Sequence, residues 1–206
     1  MNINSISTYD IKEAVLVIKR FGLLLRKKNL NKLMEEVFYN LCFAILAPQT
    51  TFKNNIKAIK ALREYDFYKV NLDINDLQKL IKPTRFYRIK SDRLIRLKKQ
   101  FSNILIVMLS NAEDHLKREF LVKNVKGLGM KAASHFLRNM GCKNLAIIDT
   151  HVLKFLECET PKTKGEYLAI ERKFKNMAKK LDLYPAELDA IVWKEYSGTP
   201  WEKFVY

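Results

Sequence analysis

The sequence predicts an all-α protein. Apolar residues recur three and four apart along most of the 206-residue chain, and no stretch alternates apolar with polar as a half-buried strand does. Pro48, Pro83, Gly141 and Pro185 fall at the edges of the periodic stretches, where helices stop or start. No internal repeat, low-complexity tract or long linker interrupts them, and the one turn-rich insert, Glu159 to Gly165, is short.

The elements follow in order. Asp10 to Lys27 carries its apolar residues on one face. Leu30 to Leu46 continues through Leu33, Val37, Leu41 and Ile45 until Pro48 stops it. Thr50 or Thr51 caps the next helix, which runs through Ile56, Ile59 and Leu62. Asp73 to Lys82 is short and halted by Pro83, and another helix follows Arg85-Phe86-Tyr87-Arg88 to about Ser110. Asn111 to Asn124 leads into a glycine-cornered turn, and Met130 to Met140 leaves it with Gly141 as its C-cap. Asp149 begins a helix ending near Cys158. Lys162 to Leu183 and Pro185 to Tyr196 complete the set, with Pro185 in the favoured first-turn position.

Thirty-eight Lys and Arg against 22 Asp and Glu leave a formal charge of +16 and a pI near 9.7. That balance attracts phosphates and predicts salt-sensitive binding, which leaves open an RNA binder, a lysine-rich generic protein and a DNA enzyme. Hydrophobic residues at 48% support a real core, and the length suits one large domain or two closely packed lobes. No apolar run is long enough to span a bilayer, and the first residues lack a signal-peptide pattern. Cys42, Cys142 and Cys158 are odd in number and widely separated, which fits buried thiols in a reducing cytoplasm. Neither they nor His115, His135 and His151 show metal-ligand spacing, so no metal is expected in the active site.

The most telling segment is Val125-Lys126-Gly127-Leu128-Gly129-Met130-Lys131, followed by Ile147-Ile148-Asp149-Thr150-His151. Two glycines so close permit a turn with φ > 0 and remove side chains that would hold a ligand off the backbone. Amides at such a turn, opening a helix, make a site for one phosphate. Lys131 then stands in the first turn of that helix, and Asp149 follows 18 positions later. An amine and a carboxylate converging on a nucleotide sugar are the parts needed to cut a base from DNA. Lys131 could instead be a simple phosphate contact. Asp149 could be the N-cap of its own helix, a role compatible with chemistry. His151 reads as an interior or supporting histidine.

With Lys131 just after Gly127-Leu128-Gly129 and Asp149 in Ile147-Ile148-Asp149-Thr150-His151, the chain resembles the helix–hairpin–helix DNA glycosylase superfamily. Arg118 to Val122, Ala133 to Asn139 and Arg85 to Arg88 make it look more narrowly like the archaeal-type (type 2) 8-oxoguanine DNA glycosylase/AP lyases, over about residues 35 to 195. Endonuclease III is a second relative, but its four-cysteine cluster is absent here. The resemblance implies a two-lobed, all-α fold with the active site in the cleft between lobes. The central lobe would span 29–135 with the hairpin, and the second would combine 1–28 with 136–206.

It further implies a bifunctional enzyme of base-excision repair that removes an oxidised purine, 8-oxoguanine, and cleaves the strand 3′ to the resulting site. Lys131 would attack C1′ and form a Schiff base, and Asp149 would stabilise the positive charge developing on the sugar. The amine must be neutral to attack, which calls for desolvation or nearby positive charge such as Lys126. The amides of Gly127, Leu128 and Gly129 would bind the DNA backbone without regard to sequence, with a monovalent cation at the hairpin and no other cofactor. Gln49, at a helix junction, is the candidate wedge that fills the gap left by the extruded base, or else a turn residue. Phe86 and Trp193 match positions where aromatic faces stack on that base, or else pack in the core.

Two departures bear on lesion choice. Ala47-Pro48-Gln49 differs from the usual small-polar version, and the chain continues through Gly198 to Tyr206 as a tail expected to fold toward the pocket. The expected partner is damaged double-stranded DNA, met by a monomer without membrane contact, in a prokaryotic cytoplasm beside the nucleoid. The alternatives are a glycosylase for oxidised pyrimidines or another modified base, and a non-catalytic DNA-binding module using the hairpin as an anchor.

Overall fold

The computed structural model describes residues 6–26 and 29–201, with the backbone alone for residues 21 and 23–26. Among them the regular structure is entirely helical. The chain divides into two compact units, Lys28–Phe136 and Met1–Lys27 with Leu137–Tyr206.

The first of these holds α2 (Leu30–Leu46), α3 (Phe52–Glu64), α4 (Ile74–Ile81), α5 (Tyr87–Leu109), α6 (Asp114–Asn124) and the start of α7 (Met130–Asn139). α2, α3 and α4 begin where side chains satisfy orphan amides: Asn29 accepts from Lys32 N, Thr51 from Asn54 N, and Asp73 from the amides of Asn75 and Asp76. Thr51, rather than Thr50, is the cap of α3. α2 packs on α3 and α5, and α4 bridges α3 and α5. Phe38 lies at the centre, with ring centroids 5.1 Å from Phe101, 5.3 Å from Tyr68 and 5.7 Å from Phe67. α6 starts at Asp114, three residues later than its periodicity suggests, because 111–113 form a non-helical lead-in.

The second unit contains α1 (Thr8–Arg26), the end of α7, α8 (Thr150–Leu156), α9 (Lys164–Lys180) and α10 (Pro185–Ser197). The expected last residue of the first helix, Lys27, lies outside the described residues. α10 is the hub, packed on α1, α8 and α9. α8 and α9 are shorter than their apolar patterns suggest: Glu157 turns left-handed to end α8, and Thr163 caps α9 by accepting from Glu166 N. Gly141, at φ 87°, passes so near α1 that an added Cβ would fall 2.9 Å from the Cα of Gly22. The tail returns to α1: Trp201 is buried, and its indole N–H donates to Asp10 Oδ1 at 2.9 Å, where Lys194 also lands at 3.0 Å. Burial pushes the Asp10 carboxyl up, but hydrogen bonds from Ser7, Trp201 and Lys194 outweigh it and hold the group below its usual range. The tail as far as Trp201 is therefore a strut on α1, and residues 202–206 lie outside the described set.

All three cysteines are free thiols, but only Cys42 is buried; Cys142 and Cys158 are half-exposed. Burial drives the Cys42 thiol far above its ordinary pKa, which makes it inert packing. Among the described residues no helix is long and apolar enough to cross a membrane.

Candidate active site

The turn between α6 and α7 is built from both sides. Leu128 sends its side chain into the core, and its amide donates to Val125 O at 3.1 Å, which closes the turn. Behind it, buried Arg118 on α6 donates from Nη1 to the hydroxyl of Ser134 on α7 at 3.1 Å, tying the two helices together. Gln100 on α5 donates to Asn124 O at 3.0 Å. Gly127 sits at φ 92°, and an added Cβ there would fall 2.6 Å from both Cδ and Nη1 of Arg93. It is glycine for two reasons, backbone conformation and the guanidinium lying across it.

Gly129 differs from expectation. Its φ is not positive, and a Cβ would meet nothing within 4 Å, so neither backbone strain nor a neighbour demands glycine there. What glycine leaves at 129 is an open approach to the backbone. The amides of Gly127 and Gly129 donate to no group among the described residues, whereas that of Leu128 is spent inside the turn. Leu128 thus shapes the hairpin instead of offering a free donor. Gly127→Val is accordingly expected to lower both the melting temperature and DNA affinity. Gly129→Val should keep the melting temperature and weaken binding to damaged and undamaged duplex alike. Thermal melts beside titrations of both duplexes check this, and a variant that lost lesion recognition alone would contradict it.

Lys131 is the second residue of α7. It is exposed and makes no hydrogen bond or ion pair among the described residues. Its amine is uncommitted.

Asp149 lies in the other unit and is the N-cap of α8: Oδ1 accepts from the amides of His151 at 2.9 Å and Val152 at 3.0 Å. Its second oxygen, Oδ2, lies 2.9 Å from His151 Nδ1. The histidine therefore orients the carboxylate, as a supporting residue would. The segment before it, Leu145 to Ile148, is buried yet belongs to no helix or sheet. Side chains of α9 satisfy its backbone: Glu171 accepts from Ala146 N at 3.1 Å, and the Tyr167 hydroxyl accepts from Ile148 N at 3.2 Å and donates to Ala146 O at 3.3 Å. Buried Arg138 and Asp189 form an ion pair at 2.8 Å in the same unit. Burial pushes the Asp189 carboxyl up to about 7 against the pull of Arg138, and the Asp149 charge adds to the rise. Sequence reasoning missed Tyr167, Glu171 and Asp189, since nothing local marks a tyrosine or carboxylate on an amphipathic helix as a support for a distant loop.

The three remaining candidate residues are placed as follows. Phe86 is 49% exposed at φ 59°, so it does not pack in the core, and the Arg85 guanidinium lies 4.9 Å from its ring centroid. Gln49 is exposed at φ 54° in the turn after α2, a turn residue whose side chain is free to reach outward. Left-handed backbone at non-glycine residues costs about 1–3 kcal/mol each and survives only where surroundings enforce it. Trp193, on α10, is half-buried. Among the described residues no three His, Cys, Asp or Glu side chains gather as a metal site.

Solved structures share this architecture. Over 90% of this chain and 87% of the other, the fold matches the 8-oxoguanine DNA glycosylase of Methanocaldococcus jannaschii with a TM-score of 0.76 at 33% identity. The same enzyme in complex with a 15mer DNA containing 8-oxoguanine matches equally, at TM-score 0.76 over 90% of both chains. The Thermotoga maritima 8-oxoguanine DNA glycosylase follows at TM-score 0.75 and 25% identity, over 90% of this chain and 89% of that one. The fold is that of the helix–hairpin–helix DNA glycosylases. Within that class, a family model described as 8-oxoguanine DNA glycosylase matches residues 22–183. The chain is 37% identical over 177 residues to the 8-oxoguanine DNA glycosylase/AP lyase of Methanocaldococcus jannaschii, covering 82% of this chain and 84% of that one. It is 34% identical over 209 residues to that of Picrophilus torridus, covering 94% and 98%. The chain belongs to the 8-oxoguanine DNA glycosylase family.

Proposed function

We propose that the protein excises 8-oxoguanine from double-stranded DNA as a bifunctional glycosylase/AP lyase, with Lys131 as nucleophile and Asp149 as the stabilising carboxylate. The observation that carries this reading is an uncommitted amine in the first turn of α7, directly beyond a turn with two free amides, in a member of this family.

The turn takes one phosphate and sets the sugar beside Lys131. Lys131 is exposed in the free protein, so its amine is open to the incoming sugar. The amine forms a bond to C1′ as the bond from C1′ to N9 of the base breaks, and the base leaves with the electron pair. Asp149 stabilises the cationic sugar during that step, held in one orientation by two amides and His151. Loss of the amine proton and opening of the sugar ring give the Schiff base. It makes the C2′ proton acidic, and elimination expels the 3′ phosphate. A monovalent cation belongs to the same proposal. Hairpin carbonyl oxygens would hold it, hard donors suited to an alkali ion, and it would add positive charge beneath the phosphate. No other cofactor is required. The protein acts as a monomer in the cytoplasm, where its chromosomal substrate lies.

Recognition requires the base outside the stack, with Gln49 filling the gap and Phe86 and Trp193 stacking on the extruded base. Stacking cannot separate guanine from 8-oxoguanine, since both present nearly the same π-face. The difference is a donor at N7, which an acceptor in the pocket would read and which guanine would leave unpaired. Phe86→Ala and Trp193→Ala are each expected to slow excision by about 5- to 150-fold, the equivalent of 1–3 kcal/mol of stacking, and to slow cleavage of a preformed abasic site far less. Parallel rate measurements on the two substrates check this, and equal losses would return both aromatics to a packing role. Excision assays on 8-oxoguanine, oxidised-pyrimidine and undamaged duplexes test the function itself. Release from the first alone supports it, release from the second would move the protein to another lesion class, and binding without release would make it a DNA-anchoring module.

A further inference from the structure

Lys90, on α5, is 1% exposed, yet it forms no ion pair among the described residues. Its ammonium donates instead to three neutral oxygens: Leu46 O at 2.7 Å, Pro48 O at 2.9 Å and Thr50 Oγ1 at 2.8 Å. Burial draws its pKa down to about 8, and Arg93, one turn along the same helix, adds to the fall. A buried cation without a counter-ion is a poor means of packing; an apolar side chain of similar length would fill the space more favourably. Capping the C-terminus of α2 through Leu46 O explains only the first contact. The other two reach past the helix end into the turn that carries Gln49.

Thr50 makes the second link. Its hydroxyl oxygen takes the Lys90 ammonium and also the amide of Arg85 at 3.2 Å, the residue before Phe86. Gln49 and Phe86 are 37 positions apart, both exposed and both left-handed, and it is their chain neighbours, Pro48 and Thr50 beside the one and Arg85 beside the other, that are joined through this hydroxyl and ammonium. Strained, outward-facing side chains fixed by a shared buried group belong to a working device more than to a core.

We propose that Lys90 is a positioning residue for base extraction: through Thr50 it clamps the Gln49 turn to the Phe86 turn, so that the wedge and the stacking face act as one unit. The proposal rests on the reading of the protein as an 8-oxoguanine glycosylase that extrudes its base. The clamp touches neither DNA nor the reacting atoms. Its effect is transmitted through where Gln49 and Phe86 stand.

A merely structural lysine and a clamp differ in coupling. Thr50→Val removes the shared hydroxyl with little change of volume, Thr50→Ser restores it, and Lys90→Met removes the ammonium. Single-turnover excision of 8-oxoguanine from duplex, with a neighbouring 2-aminopurine reporting base extrusion, is measured for these variants alone and combined with Gln49→Ala. Thr50→Val is expected to slow extrusion and excision by about ten-fold, the scale of coupling between residues of one network, with recovery in Thr50→Ser. Gln49→Ala, costly in the wild-type background, should add less than about two-fold in the Thr50→Val background, because a misplaced wedge has little left to lose. Should Lys90→Met fail to fold, the Thr50 pair decides the matter. Effects of Thr50→Val and Gln49→Ala that simply multiply, or a Thr50→Val protein as fast as wild type, would overturn the clamp while leaving the glycosylase reading intact. Wild-type protein inactive on the same duplex would overturn that reading, and the clamp with it.

Discussion

Asp149→Asn is expected to slow base release by about two to three orders of magnitude, the effect of removing one preorganised charge from a transition state. The substitution is informative because the proposal gives Asp149 a second task beside its cap. One oxygen caps α8 through the amides of His151 and Val152, and an asparagine carbonyl can take over both bonds. The other faces His151 Nδ1, where the asparagine amide puts a neutral donor in place of a negative charge. The helix should therefore survive while the sugar cation loses its partner. Melting temperature is expected to stay close to wild type, and cleavage of a preformed abasic site should fall less than base release. Asp149→Ala, which removes the cap as well, should lose about 0.5–2 kcal/mol of stability in addition. An Asp149→Asn protein with wild-type base release and a lowered melting temperature would reduce the residue to its cap.

What the sequence reveals here divides by the range of the interaction. α2 was legible to the residue, because Leu30 to Leu46 has an unbroken apolar face and a proline just beyond it. α8 stops at Leu156 because Glu157 turns left-handed before Cys158, and α9 stops at Lys180 although Leu181 and Leu183 carry its apolar pattern on. Lys131 and Asp149 could be singled out as candidates because the chemistry proposed for them restricts residue types and the hairpin restricts position. The surrounding support could not. Lys90 stands in a run of cations from Arg85 to Arg96 that reads as a solvated face, and only the fold shows it buried on three oxygens. Gly129 misled in the opposite direction, since two neighbouring glycines suggest two left-handed residues and only Gly127 is one. The non-helical run Leu145 to Ile148 gives no hint that Tyr167 and Glu171, 19 and 25 residues from the groups they bond, satisfy its backbone.

The Lys131 amine is the proposed nucleophile, and borohydride trapping tests that role most directly. An imine between a lysine and C1′ is reduced to a stable amine, so protein and DNA should migrate as one covalent species after incubation with 8-oxoguanine duplex and borohydride. Lys131→Gln keeps a polar side chain of similar length on an exposed helical position, so folding and DNA affinity should be retained. Its glutamine amide is no nucleophile. Wild-type protein is expected to give the covalent species and a cleaved strand, and Lys131→Gln to give neither while still shifting the duplex in a binding assay. A covalent species or strand cleavage persisting in Lys131→Gln at the wild-type level would assign the chemistry to another amine and contradict the account.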